Sequence, residues 1–169
     1  HNSTSFKNRQ YRERFLKEVE LCRKVAHPNV VKIFDAFNTP EFLYFTMELI
    51  AGVSLEDQLK NGPYPAARTS KLIVEICDGL RAIHAAGIIH RDLKPGNVMI
   101  QSDGSVKIID FGVSRDLQSR LTKKHMKLGS VFYLAPEIWE GRPASVQSDL
   151  YALGCVIYEV CSGAPPCQE

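Results

Sequence analysis

"IIHRDLKPGNVMI" spans residues 88–100 and sets His90, Arg91, Asp92, Lys94 and Asn97 between two apolar ends. The aliphatic residues at either end read as buried strand edges. Pro95 and Gly96 forbid a regular helix between them. A polar loop carried into a core needs a chemical reason, and the surrounding chain has to supply what that chemistry requires.

Immediately after the loop, "NVMI" and "VKII" read as two short strands joined by the turn "QSDGS". Immediately before it, residues 66–86 carry Leu72, Ile73, Ile76, Leu80, Ile83 and His84 at spacings of three and four. That is a long amphipathic helix, ended near Gly87. Further upstream, 11–26 places apolar residues at 15, 19, 22 and 25–26, a second helix stopped by His27-Pro28-Asn29. Two β-rich runs follow, 30–37 and 42–49, as an antiparallel pair around "NTPE"; the glycine of "AGVSL" then breaks the pattern. Downstream, 113–128 is polar without period and reads as an exposed loop. "SDLYALGCVIYEVCSG" is apolar nearly all round, the pattern of a helix buried in a domain centre.

The bulk properties narrow the class. The chain has 169 residues, 44% hydrophobic and 24% charged, which suits one globular domain. A formal charge of +2 gives no electrostatic case for nucleic acid or an anionic membrane as partner. No apolar run approaches the roughly 20 residues of a membrane span, and no secretory signal opens the chain. The five cysteines form no C-x-x-C pair and are odd in number, so reduced thiols in a cytoplasmic setting fit better than disulfides or zinc. Cys22, Cys77, Cys155 and Cys161 fall in helical stretches and read as small core hydrophobes.

The chemistry lies in the loop and in "IIDFG" (108–112). Asp92 and Asn97 sit five apart on a kinked segment, and Asp110 follows a hydrophobic strand. Carboxylate and amide oxygens suit Mg²⁺, which shares itself with phosphates. Lys94 offers a point charge for a phosphate oxygen, leaving Asp92 to accept a hydroxyl proton. That division of labour belongs to phosphoryl transfer, where positioning and charge neutralisation do most of the catalysis. Taken singly, each residue has a plainer reading: Asp110 as a turn residue, Asn97 as a strand cap, Glu18 as a solvated helix charge, Met47 and Met99 as packing, His90 as a satisfied core histidine.

"HRDLKPGN", "DFG" and "APE" (Ala135–Glu137), in that order and spacing, resemble the eukaryotic-type protein kinases, with "HPNVV" upstream and "SDLYALG" downstream in support. The resemblance runs from about Tyr11 to Pro166, and the wording is nearest to bacterial eukaryote-like kinases. It implies an α+β, protein-kinase-like two-lobe fold. Residues 1–49 would be a truncated small lobe of one helix and two strands. Residues 50–169 would be a partial, mainly helical large lobe with hinge, catalytic loop, activation segment and central buried helix.

It also implies roles: Asp92 as catalytic base, Lys94 as γ-phosphate contact, Asn97 and Asp110 as Mg²⁺ ligands, and Glu18 as the regulatory-helix glutamate. Met47 resembles the gatekeeper, the backbone of Glu48 and Ile50 the adenine hinge, and Met99 the floor under adenine. Cys22, Ile33, His90 and Phe111 match the apolar stack between the lobes, with Asp149 anchoring the catalytic loop. Lys94, and Ser130 in "GSVFYLAPE", resemble serine/threonine kinases, so ATP and Mg²⁺ are the expected cofactors and a protein Ser/Thr hydroxyl the acceptor. Gly96 stands where some members carry an acidic residue for a substrate arginine, which counts against a strong arginine preference. Arg91 usually pairs with an activation-loop phosphate. The loop offers Ser119 and Thr122, while Met126 occupies the commoner position; Thr122 is the expected site, and Lys123, Lys124 and Lys127 read as a solvated face in preference to a patch that attracts a phosphate in trans.

Both ends read as cut, since the chain opens on His1 and stops in the turn-like "CSGAPPCQE". The glycine-rich loop and strand lysine expected ahead of Glu18 are not found in His1–Lys17, which holds no glycine. Glu18 and Glu137 are then expected to lack their family ion-pair partners, at about 3–5 kcal/mol for each buried pair broken. Little kinase activity is accordingly expected of residues 1–169 alone. The competing reading is a non-catalytic kinase-like binding or regulatory module, which would explain those features but not the retention of Asp92 and Asp110. A small-molecule phosphotransferase fits poorly with the peptide-platform segment "GSVFYLAPE".

Overall fold

The computed structural model describes residues 2–112 and 130–166, with side chains from 10 to 112 and from 131 to 166. Helix α1 (Asn2–Arg23) begins nine residues before the periodic stretch that predicts it and ends three residues earlier. Phe15, Val19 and Cys22 form its inward stripe, and Val19 and Cys22 are fully buried. The last turn tightens, with Lys24 N–H donating to Leu21 O and Val25 N–H to Cys22 O, before Pro28.

Strands β1 (Ile33–Asn38) and β2 (Leu43–Met47) pair antiparallel with a bulge between Ile33 and Asp35. Phe37 faces Tyr44 across the pair, rings stacked at 4.9 Å. Helix α1 lies against this hairpin: Phe15 meets Phe45 at 6.2 Å, and the Arg12 guanidinium donates to Asn38 Oδ1 and to Thr39 O at 2.6 Å.

A second sheet, in the order β3–β4–β5, joins β3 (Gly52–Ser54), β4 (Val98–Gln101) and β5 (Val106–Ile108), all antiparallel. The sequence predicts two strands here, with Gly52 as a break. The glycine is what permits the third: a Cβ at Gly52 would lie 2.3 Å from Ile100 O. Helix α2 (Leu55–Leu59) was also not foreseen; Ser54 caps it, Oγ accepting from Asp57 N–H at 3.0 Å, and Leu55 and Leu59 are buried.

Helix α3 (Ala66–Ala85) buries Leu72, Ile76, Leu80 and Ile83 and stops at Gly87, whose φ of +74° admits the reversal. Asn29 ties the stretch between α1 and β1 to β5. Its carbonyl accepts from Ile108 N–H at 2.9 Å, its Nδ2 donates to Val106 O at 2.9 Å, and Val31 N–H donates back to Ile108 O. After the short α4 (Pro136–Trp139), helix α5 (Val146–Ser162) opens on a capping box of Ser145 and Ser148 and closes on Gly163. Only one side of α5 is buried: Ala152, Leu153, Val156 and Val160 face the core, while Leu150, Tyr151 and Tyr158 are exposed, so the expectation of burial all round is corrected.

The cysteine expectation divides similarly. Cys22 and Cys155 are buried, but Cys77 and Cys161 are exposed. Glu18 and Glu137 are each partly exposed, so solvent screens them and the cost argued for an isolated buried charge does not apply. Residues from α1 through α5 share one hydrophobic cluster, from Val19 and Cys22 to Leu80, Phe111 and Val160. The fold is mixed α and β.

Candidate active site

Asp149, 2% exposed in the first turn of α5, organises the polar loop. Its Oδ1 accepts from Arg91 N–H at 2.9 Å and its Oδ2 from His90 N–H at 2.8 Å. His84 Nε2, from the end of α3, lies 2.7 Å from the same Oδ2. A carboxylate only accepts, so His84 donates from Nε2. Burial works to raise the Asp149 carboxyl, yet the bonds from His84, Arg91 and His90 outweigh it and hold the group below the ordinary range.

His90 is fully buried, and burial drives its pKa down. The neutral ring fits its contacts: Nδ1 accepts from Asp92 N–H at 3.3 Å, and Nε2 donates to Ile109 O at 3.2 Å. It is the satisfied core histidine of the plainer reading, and it joins the loop to the segment carrying Asp110. Arg91 adopts φ +72°, held by its bond to Asp149, and Asp110 adopts φ +57°; both are left-handed conformations.

Three of the expected site residues converge. Lys94 Nζ lies 2.6 Å from Asp92 Oδ2, and Asn97 Nδ2 donates to the same oxygen at 3.1 Å and to Asp92 O at 2.7 Å. The 3₁₀ turn Pro95–Asn97 produces this, closed by Asn97 N–H to Lys94 O at 2.9 Å. Asn97 precedes β4 and Asp110 follows β5; Val98 pairs with Ile108, and Ile109 N–H donates to Asn97 O at 3.0 Å. The two candidate metal ligands therefore emerge at one end of the β4–β5 hairpin. With Nδ2 committed to Asp92, Oδ1 is the Asn97 atom suited to a cation. Among the described residues no group of three or more His, Cys, Asp or Glu side chains could hold a metal. The donor set of one amide and one carboxylate suits an ion that takes its other ligands from phosphate and water.

Of the expected apolar stack, Cys22, Ile33, His90 and Phe111 are all buried, and Cys22 Sγ lies 3.5 Å from Phe111 O. Burial, then the nearby Glu18 charge, pushes the Cys22 thiol up to about 12. Glu18 thus sits on the helix packed against Phe111. Met99 is half-buried in β4, paired with Ser54 and Lys107. Glu48 and Ile50 follow β2, and Ile50 packs against the core. Met47 is 43% exposed, so it does not wall off an interior here. Thr122 lies outside the described residues, and Ser130 is described only as the start of a 3₁₀ turn to Tyr133.

Several contacts were not foreseen. A cavity of about 250 Å³ opens beside Asp92, lined by Tyr133, Leu134, Ala135 and Arg142 among others. Tyr133 OH donates to Glu159 Oε2 at 2.5 Å; burial leads in raising both groups' pKa values. Glu56 Oε2 lies 3.0 Å from where a Cβ on Gly96 would be, so α2 brings a carboxylate to the corner where Gly96 has none. His84 carried a legible signal, a polar residue on the apolar face of α3.

A family model described as protein kinase domain matches residues 2–169. A probable serine/threonine-protein kinase of Corynebacterium efficiens is 39% identical over 168 residues, 95% of this chain and 26% of its own length. A probable serine/threonine-protein kinase PknB of Corynebacterium glutamicum is 37% identical over the same shares. The serine/threonine-protein kinase PknB of Mycolicibacterium smegmatis is 37% identical over 90% of this chain and 26% of its own. The chain spans about a quarter of the length of these curated relatives.

Proposed function

The chain belongs to the protein kinase family, and on that premise we propose that the whole protein is a serine/threonine kinase, transferring the γ-phosphoryl group of ATP to a Ser or Thr hydroxyl of a protein. The observation that carries this is the convergence of Lys94 and Asn97 on one Asp92 oxygen, in a loop whose bend Asp149 fixes. Asp92 is the base: Lys94 and Asn97 orient its carboxylate, and the incoming hydroxyl gives up its proton to it. Lys94 sits within reach of both Asp92 and a phosphate oxygen, and steadies the transferring group. Asn97 and Asp110 hold Mg²⁺, which when bound supplies charge neutralisation across the phosphates.

Glu48 and Ile50 meet the adenine through their backbones, with Met99 beneath and Met47 beside. Because Glu48 N–H already donates to Lys32 O at 2.8 Å, the Glu48 contribution falls to its carbonyl. Glu18 contributes to ATP binding from α1. Arg91 receives a phosphate on Thr122, and the Ser130 hydroxyl bonds the catalytic pair. In this reading residues 1–49 belong to the small lobe and 50–169 to the large one, working in the cytoplasm. Among the described residues no helix is long and apolar enough to cross a membrane.

The test is transfer of labelled γ-phosphate from Mg²⁺-ATP to a mixed protein substrate by the whole protein. Label on phosphoserine or phosphothreonine is expected. Nucleotide binding without any transfer would favour the binding-module reading instead.

A further inference from the structure

Glu48 is tied at three points where the β1–β2 hairpin hands the chain on to β3. Its N–H donates to Lys32 O at 2.8 Å, and its Oε2 accepts from Lys32 N–H at 3.3 Å and from Lys107 Nζ at 2.9 Å. Lys107 belongs to β5, in the other sheet, and its side chain is only 13% exposed against 31% for Glu48. The Lys107 bond is the first cause of a lowered Glu48 carboxyl pKa, so the pair is charged and charge-assisted. In the β4–β5 register Lys107 stands opposite Met99. Directly paired residues project from one face of a sheet, so the clamp and the Met99 floor share a face.

We propose that Lys107 is a positioning residue for the purine of the nucleotide. By holding Glu48, it fixes the 48–50 stretch relative to Met99, and so sets how well the Glu48 carbonyl meets the adenine amino group. This rests on the kinase reading above. Lys107 itself touches no reacting atom. Its effect therefore falls on nucleotide affinity and purine choice more than on phosphoryl transfer.

The whole protein would be compared with Lys107→Met, which keeps the aliphatic stem, and with Glu48→Gln, which keeps the size. Each should raise KM and Kd for Mg²⁺-ATP about 5-fold, as expected for loss of roughly 1 kcal/mol at one partly buried charged contact, with a smaller effect on kcat. Each should also narrow the preference for ATP over GTP, which a purely structural role would not move. Lys107→Arg should restore both readouts. ATP affinity and ATP-to-GTP preference unchanged in both variants, in a protein that binds ATP, would overturn the clamp alone. An unaltered protein that binds no ATP would overturn the clamp together with the kinase reading.

Discussion

Asp149 Oδ1 accepts the backbone N–H of Arg91 at 2.9 Å, and Arg91 stands at φ +72°. A buried carboxylate in α5 thus holds the loop in a bend that a non-glycine residue adopts at a cost of about 1–3 kcal/mol. Asp92, the next residue, takes its position from that bend.

Asp149→Ala should therefore be severe. It leaves the N–H groups of His90 and Arg91 and the His84 ring without their acceptor, at about 1–3 kcal/mol for each buried donor left unsatisfied. A loss of about 3 kcal/mol or more is expected in urea unfolding. A loss under about 1 kcal/mol would show that water replaces the carboxylate.

The same group sets an acid limit. Its folded pKa lies below the ordinary 3.8, so its contribution to stability is fully present above that value and drains away as pH falls through the lower folded one. Plotted against pH, the stability difference between the parent and Asp149→Asn should shrink as pH falls below 3.8. A difference that persists undiminished to pH 2 would contradict the depressed pKa.

Gly79→Ala sets two effects against each other. Alanine gains about 1 kcal/mol of helix propensity in α3. Its Cβ, however, would lie 2.7 Å from Asn29 O and 3.0 Å from Ile108 Cδ1, and overpacking costs typically about 1–3 kcal/mol. The backbone carbonyl of Asn29 is bonded to Ile108 and cannot swing away. Net destabilisation is expected, read as a lower thermal midpoint; a rise would mean that Asn29 yields.

Thiol alkylation at pH 8 should separate the described cysteines. Cys77 and Cys161 are exposed and should react, Cys77 slowed because partial burial and then the Asp78 charge hold its thiol pKa up, whereas Cys155 is buried and Cys22 is buried with its pKa pushed up to about 12. Mass spectrometry of native protein after brief alkylation reads this directly. Modification of Cys22 at the rate of Cys161 would contradict the packing of α1 on Phe111.

What was legible in the sequence follows from the length of each pattern. Helix α3, 20 residues long, repeats its apolar spacing from Leu72 to Ile83, and the β4–β5 hairpin announces itself through its turn. Five-residue α2 is too short to show a period, and β3 hid behind Gly52, whose lack of a side chain is what lets it approach Ile100. Asp92, Lys94 and Asn97 were readable because one loop carries all three. The Glu48–Lys107 pair spans 59 residues and joins two sheets, so no local pattern shows it. The same holds for Glu56, which reaches Gly96 from another element.

The most direct test of the central claim is the turnover of Asp92→Asn in the whole protein, measured with saturating Mg²⁺-ATP and protein substrate. The substitution keeps the shape of the side chain that Lys94 and Asn97 orient but removes the base. Turnover should fall by about 10²–10⁴-fold while ATP still binds. Turnover retained within a few-fold of the parent would contradict Asp92 as the group that accepts the hydroxyl proton.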